Sequence, residues 1–469
     1  MTLIDAAAST AFAVRSSSSS SSAGGGGGVM NQKSPRATSS PSAATRLGSI
    51  DSAPPSEGKE GSRSLRSLRP LFSFGAIADV QYADQEDGWN FRKDHRRYYR
   101  GGLEKLRGAV DWWLRDETHR FALQLGDVID GANKRNGHSE AALLSVKAEV
   151  DRLAVSLPLG VLSSLGNHEL YNFPKQRWAK ELDCSSRAKA VTLRPSGSAD
   201  SAPSEKLQDL DANVHAAEGS PSPPEPGQSA SAAVAGGQAG EGEEASAEGC
   251  FYYSFCPDDS HRFIALDSYD VNAIQVEPGP GPGKLRAQVG EEEEGRADGD
   301  TGDVGDVGDE GVEVLSKHNP NRDKNNAEGM DGLNKRFVQY NGGMGAEQLA
   351  WLEGQLTAAS RAGQRVIGFG HVPIHPADPP SHTLLWNYQE VLDVMHKFDC
   401  VSLFLSGHRH RETYFEDSKG IHHVSLAAAL EAPPGEDAFA NIDVYPDRLE
   451  LRGHGVVESR TLSVGALYE

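Results

Sequence analysis

Short apolar runs alternate with amphipathic stretches along most of the chain. Runs at 71–78, 121–125, 160–165, 262–266, 365–369 and 401–405 are rich in β-branched or aromatic residues, and each stops at a cluster of Gly, Asp, Asn or His. Their length and content predict buried strands. Between them, apolar positions at helical spacing predict helices over 98–114, 139–153, 346–359 and 388–396. Strands alternating with helices indicate an α/β domain whose functional groups collect at the carboxyl ends of the strands. Near the C-terminus, runs at 421–426, 439–444 and 449–451 predict antiparallel strands with short turns, and hence a second sheet.

Three segments break the pattern, and they also hold most of the charge. The 469 residues carry 46 Lys and Arg against 67 Asp and Glu, a formal −21. Residues 211–249 contribute −7 and residues 291–313 contribute −10, whereas residues 1–70 carry +4. The other 337 residues carry only −8. The segments lack the aromatic and β-branched residues needed to offset chain entropy, so they are expected to be disordered. The organisation expected is an N-terminal extension over 1–70 and one domain over 71–460, with insertions at about 190–249 and 278–315. A chain this acidic lacks the basic footprint of a nucleic-acid binder. No run approaches the roughly 18 apolar residues of a spanning helix, so no membrane association is expected. The first 50 residues are Ser-rich and Arg-bearing with Asp5 as their one acid. That composition suits either an organellar transit peptide or a simple disordered terminus. A cytoplasmic protein is expected, with plastid or mitochondrion as the alternative.

The residues at the strand ends are of one chemical kind. In order they are Asp79-Val80-Gln81, Gly126-Asp127-Val128-Ile129-Asp130-Gly131, Gly166-Asn167-His168-Glu169, Gly370-His371 and Gly407-His408-Arg409-His410. Carboxylate, amide oxygen and imidazole are donors for divalent ions such as Mn or Fe, and no thiolate is among them. Each alone is ordinary turn chemistry. Five such turns, each directly after a strand, would converge on one edge.

These five blocks resemble the D-x-H, GDxxDG, GNH[DE], GH and GHxH pattern of the calcineurin-like metallophosphoesterases. The resemblance implies a two-sheet β sandwich flanked by helices, with a dinuclear metal site at the strand ends. It assigns Asp79, Gln81, Asp127 and His410 to a first ion. Asp127 would bridge to a second, completed by Asn167, His371 and His408. A carboxylate shared by two ions offsets their repulsion, and a water activated between them would attack phosphorus in line. His168 would protonate the leaving oxygen or stabilise its charge, oriented by Glu169. The family pattern has His where this chain has Gln81. A harder oxygen donor there favours Mn²⁺ or Mg²⁺ over zinc.

The run FSFGAIADVQYADQEDGWNFRKDHRRYYR (72–100), with HNPN, FVQYNGG, HVPIHP, WNY and NIDVYPD further on, is similar to one subgroup, the manganese-dependent ADP-ribose/CDP-alcohol diphosphatases. That implies hydrolysis of ADP-ribose to AMP and ribose 5-phosphate, and of CDP-choline to CMP and phosphocholine, by a monomer acting on small nucleotide diphosphates. Phe91 and Trp89 could stack a base, Arg96 and Arg97 could neutralise a diphosphate, and Asn341 could reach it. The same aromatics could equally be core, and the arginines the start of a helix. Arg411 stands where the subgroup commonly has an acid, which bears on substrate preference. The alternatives are a cyclic-nucleotide phosphodiesterase or phosphomonoesterase of the same fold and, outside enzymes, a partner-binding scaffold.

Overall fold

The computed structural model describes residues 69–90, 93–182, 251–274, 309–376 and 382–465. The N-terminal extension up to residue 68 and the bulk of both expected insertions lie outside these residues.

Two six-stranded sheets face one another. The first runs in the order β14-β13-β12-β1-β4-β5. Its central strands are β1 (Phe72–Ile77), β4 (His119–Gln124) and β5 (Val161–Ser163), which are parallel. β12 (Ala438–Val444), β13 (Arg448–Gly455) and β14 (Arg460–Ser463) extend it on the other side of β1, each antiparallel to its neighbour. The second sheet runs β10-β11-β9-β8-β7-β6. It contains β6 (Tyr253–Asp258), β7 (His261–Ala265), β8 (Arg365–Phe369), β9 (Val401–Ser406), β10 (Thr413–Glu416) and β11 (His422–Ser425). A hairpin of β2 (Gly88–Trp89) and β3 (Arg96–Arg97) stands apart.

Alternation along the strands decides which side chains meet. In β1 and β4, Phe72, Phe74, Ala76, Phe121 and Leu123 point between the sheets, while Ile77 and Ala122 face the helices. Phe74 stacks on Phe121 at 5.1 Å, and Phe255 and Phe263 meet Phe121 edge-on at 5.2 and 5.0 Å. Each ring removed from water contributes about 1.5–3 kcal/mol, so this aromatic layer holds the sheets in register. Helices α1 (Tyr99–Trp113) and α3 (Ser139–Ser156) cover the first sheet, and α7 (Ala346–Arg361) and α8 (Tyr388–Met395) the second. Shorter helices are α2 (Ala132–Asn136), α4 (Asn167–Asn172), α5 (Lys175–Leu182) and α6 (Asp309–His318).

The expected sandwich is present, with two differences. The C-terminal strands do not build a sheet of their own. β12 joins β1 and β13 joins β12, while β11 runs parallel to β9 in the opposite sheet. Apolar alternation marks a strand without naming its partner, and β1 offers its free edge to β12. The second insertion also ends earlier than expected, since α6 begins at Asp309 and buries Leu315 against Met330 and Phe337. Among the described residues, no helix is long and apolar enough to cross a membrane.

Candidate metal centre

The strand ends converge as their sequence spacing implied. β1 runs into Asp79 and Gln81, β4 into Asp127, β5 into Asn167 at the start of α4, β8 into His371, and β9 into His408 and His410. Asp127, His371 and His408 bring one ligand atom each into a common space, and Asp79, Asp127 and His410 do the same beside it. Either group could hold an ion, and Asp127 belongs to both.

The backbone is bent to achieve this. Among the described residues, six non-glycine residues have positive φ, and five of them are Asp79, Gln81, Asp127, His408 and His410. L-residues adopt that region at a cost of order 1 kcal/mol or more each, and such residues gather where function demands them. Gly126, at φ +94°, lies against the His371 ring, and Gly166 lies against Asp127 Oδ1. A Cβ at either position would overlap the His371 or Asp127 side chain.

Three imidazoles are oriented from behind. His371 Nδ1 donates to the Leu125 carbonyl at 2.7 Å, leaving Nε2 3.3 Å from Asp127 Oδ2. His410 Nδ1 donates to Glu431 Oε1 at 2.9 Å, leaving Nε2 3.4 Å from Asp79 Oδ1. His408 is turned the other way: Nε2 donates to Asn341 Oδ1 at 2.7 Å, and Nδ1 lies 3.1 Å from His371 Nε2. A partner on one ring nitrogen fixes the tautomer and frees the other as a ligand.

The donor set fits a divalent cation. Asp79 Oδ1 and Gln81 Oε1 are buried with no hydrogen-bond partner, an expensive arrangement unless a positive charge meets them. Gln81 Nε2 donates to Asp127 Oδ2 at 3.0 Å and lies 2.9 Å from His410 Nε2, which places the Gln81 amide between two members of this group. Asn167 Oδ1 accepts from Tyr269 OH at 3.2 Å, and its amide nitrogen donates to Tyr171 OH at 3.3 Å.

Electrostatics agree. Burial pushes the Asp79 carboxyl up, and Asp127 adds to that against the pull of His410 and His371. Burial works the same way on Asp127, but His371 and His168 reverse it and hold Asp127 well below the ordinary carboxylate range. Burial lowers His371, yet the Asp127 carboxylate carries it up to about 9. A cation entering here would displace that proton, so loading is coupled to pH.

His168 lies beside this group. Its Nδ1 accepts the Gly131 N–H at 2.9 Å and lies 3.2 Å from Asp130 Oδ2, which leaves Nε2 4.0 Å from Asp127 Oδ2. Burial would lower its pKa, but Asp127 and Asp130 raise it above the ordinary value. Glu169 does not orient it. Its carboxylate instead accepts the N–H groups of Gly166, Asp127 and Val128 at 2.8, 2.8 and 2.5 Å, locking the β4 turn to the β5 turn. Burial, then Asp127, pushes Glu169 up to about 7.

The expected substrate contacts fare unevenly. Asn341 is fully buried, and its amide is spent on His408, Arg336 O and His382 O, so it cannot meet a diphosphate. Arg97 does reach the site, with Nε 3.8 Å from Glu431 Oε1. Arg96 turns outward over Trp89, its guanidinium 5.5 Å from that ring. Phe91 lies outside the described residues. Arg411 contacts His95 Nε2 at the rim. Sequence reasoning missed Glu431 altogether, although it is the one charged residue among the apolar positions 424–435.

A helix-flanked sandwich with paired Asp and His groups at one edge is the architecture of a dimetal phosphatase. A solved dimetal phosphatase from Danio rerio is 32% identical with a TM-score of 0.61, over 84% of this chain and 100% of that one. No family model matches. The manganese-dependent ADP-ribose/CDP-alcohol diphosphatase of Arabidopsis thaliana is 34% identical over 391 residues, 83% of this chain and 96% of the relative. Those of Bos taurus and Homo sapiens are 34% and 33% identical over 398 residues each, 85% of this chain and 95% and 94% of theirs. The chain belongs to the family of manganese-dependent ADP-ribose/CDP-alcohol diphosphatases.

Proposed function

We propose that this chain hydrolyses the pyrophosphate bond of ADP-ribose and of CDP-alcohols such as CDP-choline, using two Mn²⁺ ions. The observation that carries the reading is the shared Asp127, flanked on one side by Asp79 and His410 and on the other by His371 and His408, in a chain whose relatives bear that activity in their names. Asp79, Gln81, Asp127 and His410 would hold the first ion, and Asp127, Asn167, His371 and His408 the second. Ions bound there supply Lewis-acid activation of water and neutralise the diphosphate charge.

The protein's own groups do the rest. Asp130 and the Gly131 N–H hold the His168 ring, and the Asp127 and Asp130 carboxylates favour its protonated form, which can give a proton to the oxygen that leaves as the bond breaks. Arg97, at the rim, offers a fork to the outer phosphate. Turns locked by Glu169 keep Asp127 and His168 at a fixed separation, so little reorganisation accompanies the reaction. The substrate is a free nucleotide diphosphate, handled by a monomer.

Purified protein with Mn²⁺ is expected to release AMP from ADP-ribose and CMP from CDP-choline, measured by chromatography. Turnover of 2′,3′-cAMP or p-nitrophenyl phosphate with neither of those products would overturn the reading in favour of a phosphodiesterase or phosphomonoesterase.

A further inference from the structure

We infer that Glu431 is the positioning residue of the first metal-binding group, fixing His410 and tying it to the cationic rim. This rests on the reading of Asp79, Gln81, Asp127 and His410 as ligands of one ion. The carboxylate comes from a short 3-10 turn, Ala429–Glu431, which is itself bound to the ligand loops. Its Ala429 and Leu430 N–H groups donate to the carbonyls of Ala78 and Asp79 at 3.1 and 3.0 Å. The Ala428 N–H donates to the His410 carbonyl at 3.3 Å, and the Leu430 carbonyl accepts the Tyr98 N–H at 2.8 Å, where the β2–β3 hairpin enters α1. Four backbone bonds thus set the turn relative to both ligand loops and to the hairpin carrying Arg97.

From that position the side chain, 11% exposed, gathers three partners. Oε1 accepts from His410 Nδ1 at 2.9 Å and lies 3.8 Å from Arg97 Nε, and Oε2 lies 3.8 Å from His95 Nδ1. His95 in turn contacts Arg411 through Nε2. An anionic acceptor on Nδ1 makes the opposite nitrogen a better donor to a cation. The same charge holds Arg97 and His95 beside the site, where a phosphate would otherwise have to draw them in. A neutral amide could keep one hydrogen bond to His410 but would not attract Arg97.

The test uses the full chain, stripped of metal and titrated with Mn²⁺ alone by calorimetry and by electron paramagnetic resonance. Wild type is expected to bind two ions. Glu431→Gln is expected to weaken one of them by about 10–100-fold and leave the other unchanged. Glu431→Asp should recover part of that loss. Adding His410→Ala to Glu431→Gln should cause less further loss than His410→Ala causes in wild type, because the two residues act in series. With ADP-ribose, Glu431→Gln should regain most of its kcat at high Mn²⁺ while KM stays raised through the freed Arg97. Equal affinity of both ions in wild type and Glu431→Gln would overturn the assignment. So would equal weakening of both ions together with a lowered melting temperature, which would mean general damage. Failure of wild type itself to bind two ions would instead bring down the underlying reading.

Discussion

Among the described residues, aspartate meets several histidines in two clusters, and they differ where it counts. At the metal centre, Asp79 and Gln81 each leave a buried oxygen without a partner, and five residues sit in left-handed backbone. Behind β9, Asp417 is equally buried but completely satisfied. Its Oδ2 accepts from His396 Nε2 at 2.9 Å and His423 Nε2 at 3.1 Å, and its Oδ1 accepts the N–H groups of Lys419 and Ile421 at 2.8 and 3.0 Å. Its backbone is not left-handed. The first cluster is strained and leaves carboxylate and amide oxygens unmet, whereas in the second both carboxylate oxygens are satisfied, in a hydrogen-bonded knot joining α8 to the β10–β11 turn. Residue types alone do not separate a metal site from a staple; the unspent oxygens of the acid do.

Substitutions should split along that line. Asp79→Asn removes a ligand and should lower kcat/KM by about three orders of magnitude, on the order of 4 kcal/mol. In chelator the same variant should melt no lower than wild type, because burial already penalises the Asp79 charge. A large fall in its metal-free melting temperature would erase the distinction. Asp417→Asn should do the reverse. It should cost about 1.5–3 kcal/mol of stability, read from denaturant unfolding, while Mn²⁺ stoichiometry stays at the wild-type value.

Acid sharpens the contrast further. Burial opposes ionisation of Asp417, but the bonds from His423, His396 and the two N–H groups outweigh it and hold the carboxyl well below its ordinary 3.8. Its stabilisation is therefore complete above about pH 4 and lost as pH falls below that. The difference in stability between wild type and Asp417→Asn should shrink in that range. His375, stacked on Phe415 at 4.4 Å, gives the smallest effect. Burial, with His423 beside it, pushes its pKa down to about 4. Between pH 6.5 and 4 only the unfolded chain takes up this proton, so wild type loses stability as pH falls through that window. His375→Phe should lose less over the same interval, measured by melting temperature against pH; identical slopes would show that His375 does not set this dependence.

The proposed ligands were legible in the sequence because each follows directly on an apolar run. A strand end is a local signal, and Asp79, Asp127, Asn167, His371, His408 and His410 all carry it. What was not legible acts through space. Asn341 reads as a turn residue beside two glycines, and only the fold shows it turned inward onto His408. Glu169 adjoins His168 in sequence, yet its carboxylate crosses to the Asp127 turn. Glu431 is a single acid in an apolar stretch, a hint of a buried partner that does not name His410. The sheet partners of the C-terminal strands were hidden for the same reason: pairing is a property of edges brought together by the whole chain.

Gln81 and His410, both proposed to hold the first ion, are 329 residues apart in the chain. A chain emerging from the ribosome presents Asp79 and Gln81 early, but the imidazole that completes their set, and the glutamate that steadies it, arrive only after more than four-fifths of the protein has been made. Contacts of such long sequence separation form late. A product ending between β8 and residue 408 would contain Phe74, Phe121, Phe255 and Phe263 of the aromatic layer and yet lack His408 and His410, one proposed ligand of each ion, so the ability to retain metal doubles as a test that synthesis ran nearly to completion.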